Sequence, residues 1–231
     1  MIGVNHINKE LLVAPKDELD ENLVAVAVQL NDEGTAFHSG ILIGIDGDFW
    51  LFHYTGTEVE LNETIDPTEP LYCKRIEFVE DYEVINFKAL CEILLNDVNP
   101  RYGLLFDGSF FKDGTYYTES GLPFITTCVG FCLMTFKSFL INTDFLQTDD
   151  WDEESAEGFR NDYVDFYELT LRRIEQENPE MAGEIAKKYV KRITPSEYAS
   201  AGFYSDLPIR KDSIDAILND VQDVLKEKAA S

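Results

Sequence analysis

Three residues of types that cooperate in nucleophilic chemistry fall in three separate stretches of this chain: His38, His53 and Cys128. Cys128 lies in Thr126-Thr127-Cys128-Val129-Gly130-Phe131-Cys132, which opens an apolar run through Leu140. Threonine ahead of such a run is a helix N-cap signal. Phe131, Cys132, Met134, Thr135, Phe136, Phe139 and Leu140 recur at helical spacing, which predicts a buried helix over residues 127–141. Cys128 then sits in the first turn, where unpaired backbone N–H groups and the helix dipole favour an anion. A thiol so placed ionises more readily, and the thiolate is the nucleophile. Free cysteine is also among the most buried residue types, so the same position suits a small core residue. A base, and a group that orients it, decide between these readings.

The histidines supply that pair if one hairpin forms. Phe37 to Ile45 and Phe49 to Tyr54 have strand character on either side of Asp46-Gly47, the strongest short hairpin signal. With Asp46 and Gly47 as the two turn residues, His53 lies opposite Gly40 and His38 is its diagonal neighbour. Both then share one face, about 7–8 Å apart at Cα. Gly40 leaves space for the rings, while Trp50, Phe52 and Tyr54 alternate with His53 and line the opposite, core side. A slip of one residue would separate the histidines. Cys128 at a helix start, His38 on one strand and His53 on the next are then the candidates for nucleophile, base and orienting group.

The elements around these residues can be outlined in order. Residues 1–22 read as a polar lead-in, and Leu23 to Leu30 as a buried strand followed by a turn at Asn31–Gly34. Thr55 to Pro70 is acidic and loop-like. Leu71 to Val79 holds a short strand, Asn86 to Leu95 a helix, and Tyr102 to Phe106 a further strand. Asp107 to Ser120 is a Gly- and Tyr-rich loop. Gln147 to Glu157 reads as an acidic linker, and 159–191 as one or two amphipathic helices divided near Asn178-Pro179. Thr194-Pro195-Ser196-Glu197 is a capping box with Pro at the first helical position. Asp212 caps a final helix with Ile214, Ile217, Leu218, Val221, Val224 and Leu225 on one face. The division predicted is a catalytic domain over 1–148 and a helical appendage over 149–231.

Composition sets the outer limits. The 231 residues are 45% apolar and 13% aromatic, enough for a sizeable core. Nineteen basic against 44 acidic residues leave a net charge of -25, which repels nucleic acid and anionic membranes and favours a basic partner. Met1 to Leu12 has no secretory signal pattern, and no run approaches the ~20 apolar residues of a membrane span. Cys73, Cys91, Cys128 and Cys132 form no CxxC pair and suit a reducing cytoplasm. Cys128 and Cys132 have no further ligands nearby in sequence, so no metal or other cofactor is expected.

The stretches Phe37-His38-Ser39-Gly40-Ile41-Leu42-Ile43-Gly44, Phe49 to Tyr54, and Thr127-Cys128-Val129-Gly130-Phe131 together resemble the circularly permuted papain-like hydrolases of the NlpC/P60 superfamily. That group includes lecithin:retinol acyltransferase-like proteins and PPPDE-type isopeptidases. Its base histidine lies in a motif like H-x-G-I-x-x-G, a third polar residue on the next strand, and the nucleophile in a motif like N-C-x-x-F. Here Thr127 replaces the common Asn. The resemblance covers residues 23–142. It implies an α+β fold with an antiparallel sheet packed on a Cys-bearing helix, and a cytoplasmic cysteine hydrolase with Cys128, His38 and His53 as its catalytic residues. Its substrate would be a peptide, or an acyl amide, isopeptide or ester. The alternative is a non-catalytic acidic module of inhibitor or immunity type that masks a basic protein. A closed Cys128 with separated histidines favours the module, and an open cleft at Cys128 favours the enzyme.

Overall fold

The run Leu23-Val24-Ala25-Val26-Ala27-Val28-Gln29-Leu30 is β-branched at alternate positions and apolar except for Gln29, the pattern of a strand covered on both faces. It is the middle of the fold. The computed structural model describes residues 2–63, 68–98, 100–103, 109–118, 124–140, 142–155 and 172–230. Six strands, β1 (Leu12–Ala14), β2 (Leu23–Leu30), β3 (Ala36–Ile45), β4 (Asp48–Tyr54), β5 (Val59–Asn62) and β6 (Leu71–Arg75), form one sheet in the order β1-β6-β2-β3-β4-β5. Every neighbouring pair is antiparallel. The molecule is α+β, with α1 (Val4–Glu10), α2 (Val84–Asp97), α3 (Cys128–Phe139), α4 (Pro179–Ile185), α5 (Pro195–Ala201), α6 (Lys211–Asp215) and α7 (Leu218–Ala229) among the described residues.

The two sheet faces are unequal. Val24, Val26, Val28, Ile41, Ile43, Phe52 and Tyr54 point into the main core. There they meet Phe87 and Leu94 of α2 and Phe131, Cys132 and Phe136 of α3. Leu23, Ala25, Ala27, Leu42, Leu51, Leu71 and Cys73 form a second, smaller cluster on the other face. No described helix is long and apolar enough to cross a membrane.

Several expectations are corrected here. Residues 1–22 are not only a lead-in: α1 packs against α7, and β1 pairs with β6. Within the Gly- and Tyr-rich stretch, β8 (Phe110–Lys112) and β9 (Thr115–Tyr117) make a hairpin. The strand expected from Tyr102 is the short β7 (Arg101–Tyr102), parallel to β10 (Ile125–Thr126), and 104–106 lie outside the described residues. Of the helices expected over 159–191, residues 159–171 also lie outside, 172–177 are helical, and α4 starts at Pro179 with Asn178 as its cap. Tyr189–Lys191 is instead a strand, β12, paired with β11 (Glu153–Ser155) inside the expected linker. Asp212 lies in the first turn of α6, whose N-cap is Arg210, and a break at Ala216-Ile217 separates α6 from α7.

The C-terminal region is not an appendage with a core of its own. Trp151, Ile193, Tyr198, Ile214, Val221, Val224 and Leu225 belong to the same cluster as the sheet and α3. The fully buried Tyr198 donates its hydroxyl to the Gly40 carbonyl at 3.1 Å. The Thr194 capping box forms as read: Glu197 N–H donates to Thr194 Oγ1 (3.2 Å), and Thr194 N–H to Glu197 Oε2 (2.7 Å). The other oxygen of Glu197 accepts from Trp151 Nε1 at 3.0 Å, tying α5 to the 148–151 turn.

Candidate functional site

Asp46 and Gly47 both have positive φ, 52° and 86°, as a two-residue type I′ turn requires. They set Ile45 opposite Asp48 and Gly40 opposite His53. A Cβ on Gly40 would lie 2.8 Å from Leu51 Cδ1 and 3.0 Å from His53 Cβ, so a side chain there would displace the imidazole. With glycine in place, His38 Nε2 and His53 Nδ1 are 2.8 Å apart. Beside them the β2–β3 register shifts: Gln29 pairs with His38 and Leu30 with Ala36, leaving Phe37 as the extra residue, 56% exposed.

Two further residues complete this cluster, and the sequence reading missed both. Glu60 on β5 pairs with His53 across the ladder, and its Oε2 lies 3.4 Å from His53 Nε2. Asn62 Nδ2 donates to that carboxylate at 2.7 Å. Asn62 Nδ2 also lies 3.4 Å from His53 Nε2, so that nitrogen faces both a donor and an acceptor. With its proton on Nε2, His53 faces Glu60 as donor and accepts at Nδ1 from His38 Nε2–H, which leaves the His38 Nδ1 lone pair unshared. Burial lowers the pKa of both rings. His38 is held at about 4 by burial first and His53 second, against the opposing pull of Glu60. For His53, burial is opposed by Glu60 and by Glu69. Both are neutral at pH 7.

Cys128 is the first residue of α3, and its cap forms as expected, with Thr127 Oγ1 accepting from Gly130 N–H at 3.0 Å. The face is the difficulty. Phe131 of α3 packs at a tilt against Phe52 and Tyr54, with ring centroids 5.2 and 6.0 Å away, on the core side of β4. Cys132 one turn on lies against Ser39 and Tyr198. His38 and Ser39 are consecutive on a strand and therefore point to opposite faces. The histidine pair shares its face with Leu51, whereas Cys128 is in the main core, so the sheet lies between thiol and imidazole.

The expected Cys–His contact is thus not made: the structure brings His38 and His53 together and leaves Cys128 apart. Cys128 is 3% exposed, and its neighbour is the Tyr102 hydroxyl, whose pKa is raised by burial and then by Cys128. The four cysteines are free and buried. Burial pushes the Cys73 thiol up to about 12 and raises Cys91 and Cys132. His6 stands away from this site, edge-on to Phe203. Among the described residues, no three His, Cys, Asp or Glu are grouped to hold a metal. Comparison of the chain with protein-family models, curated proteins and solved structures finds no match.

Proposed function

We propose that the protein hydrolyses an amide, isopeptide or ester bond with His38 as general base and water as nucleophile. The Glu60–His53–His38 chain of contacts across three adjacent strands, with a ring-to-ring hydrogen bond at 2.8 Å, carries this reading. It orients a neutral imidazole as the acid–His pair of a hydrolytic triad does. His38 Nδ1 takes a proton from water as the oxygen attacks the acyl carbon, then returns it to the departing nitrogen or oxygen. The succession of two His-bearing strands and a later Cys-bearing helix follows the permuted papain-like order, and likeness to that group is part of the proposal. Placing the thiol behind the sheet departs from that group's triad, so Cys128 has a packing role here.

The test is hydrolysis of a panel of acyl esters and amides by the wild type, His38→Ala and Cys128→Ser. A general base contributes typically 10²–10⁴-fold, so His38→Ala should lose activity on that order while Cys128→Ser keeps it within a few-fold. Loss in Cys128→Ser, together with inactivation by a thiol alkylator, would replace this mechanism with the cysteine one.

One observation favours the second reading, an acidic module for a basic partner. The Gly47 N–H donates to the Glu21 carbonyl at 3.1 Å, so Glu21 lies against the Asp46 to Asp48 turn at one end of the sheet, while Asp20 is ion-paired with Arg75. Salt-sensitive binding of polylysine, with no hydrolysis of the panel, would select it.

A further inference from the structure

A ring-to-ring hydrogen bond can hold only one shared proton, and this gives the histidine pair a property independent of the hydrolase reading. We propose that the His38–His53 pair is a pH-operated latch that holds the β4–β5 edge of the sheet closed while the rings are neutral and loosens it on acidification. The groups facing the pair are Glu60 and Asn62 from β5, Gln29 from β2, and Glu69 ahead of β6, whose carboxylate accepts from Gln29 Nε2. A first added proton can be tolerated: it settles on His53 beside Glu60, and His38 switches tautomer to accept at Nε2. A second proton leaves N–H groups pointing at each other across 2.8 Å, with two like charges on rings whose centroids are 5.1 Å apart. The bond must then break.

What yields is the weakest neighbour. Strand β5 has four residues, lies at the sheet edge and, among the described residues, pairs with β4 alone. Its Glu60 faces His53 and is held by Asn62, so parting of the rings removes that side-chain contact and leaves β5 on its ladder to β4 and the packing of Val59 and Leu61. Short edge segments open locally at low free-energy cost.

Amide hydrogen exchange of the full chain between pH 7 and pH 5 tests this, with protection in β4 and β5 measured relative to β2. Carboxylates stay largely ionised over this range, which isolates the histidines. An opened state that titrates at the ordinary histidine value should lower β5 protection roughly 10- to 30-fold by pH 5. His38→Gln keeps a donor toward His53 Nδ1 but cannot titrate, and should reduce the fall to a few-fold. Glu60→Gln removes the counter-charge and should deepen it. An equal fall in His38→Gln, or no fall in the wild type, overturns the latch. If His38→Gln fails to fold, an unchanged fall in Glu60→Gln overturns it.

Discussion

At the scale of single residues, His38 and Cys128 have exchanged the importance their types suggested. Because the folded His38 pKa lies below the ordinary 6.5, the unfolded chain binds more protons between 6.5 and about 4. Its contribution to stability is complete above pH 6.5 and is lost as pH falls toward 4, by up to about 3 kcal/mol at 1.36 kcal/mol per pKa unit. Urea unfolding of the wild type and His38→Gln at pH 7 and pH 5 measures this: the wild type should lose more than the variant. Cys128, with Tyr102 against it and almost no exposed surface, should alkylate at a rate set by opening of the fold rather than by thiolate formation. Peptide mass mapping after timed labelling should show Cys128 modified no faster than the buried Cys91. Faster labelling there would restore the thiol as a functional group.

At the scale of elements, close approaches explain how the site strand is fixed, and they show what a sequence can reveal. Gly202 ends α5 at φ -57°, so its backbone needs no glycine, yet a Cβ there would lie 2.4 Å from Val26 Cγ2. Gly202→Ala should therefore cost about 1–3 kcal/mol by overpacking. A double-mutant cycle with Val26→Ala should recover a coupling of about 1 kcal/mol or more. Thr194→Ala should cost about 1 kcal/mol, since Glu197 loses its cap partner while still holding Trp151. The cap at Thr194, the one at Thr127 and the turn at Asp46-Gly47 were legible because each is decided by two to four adjacent residues. From that turn the His38–His53 contact followed by counting along the strands. Glu60 and Asn62 were not legible: the loop from Thr55 to Glu58 is held by Thr55 hydroxyl and backbone bonds that fix no register in advance. The face chosen by α3 was hidden for a different reason. Strand alternation sorted Trp50, Phe52 and Tyr54 from His53, but β2 is apolar on both sides, and a local pattern does not say which side a distant helix will cover.

At the scale of the whole molecule, the question is whether residues 1–148 can stand alone, as a catalytic domain with an appendage would. The packing argues that they cannot. Tyr198 and Ala199 of α5 lie in the core beneath β2 and β3, and α7 packs against both α1 and α5, so the last quarter of the chain closes a core begun by the first. Removing residues 149–231 would expose that face of β2 and β3 and leave the Gly40 carbonyl without Tyr198. At roughly 25 cal/mol per Å² of apolar surface, exposing a few hundred Å² of that face would cost energy on the order of the 5–15 kcal/mol by which domains are usually stable. The fragment 1–148 should therefore be unfolded or aggregated by circular dichroism and size exclusion. The full chain should melt in one calorimetric transition whose van't Hoff and calorimetric enthalpies agree. Its net charge of -25 opposes compactness, so that transition should rise in temperature between 10 and 150 mM salt as the Debye length shortens. Two resolved transitions, or a folded 1–148 fragment, would separate the C-terminal region from the core and make it free to act as an independent element.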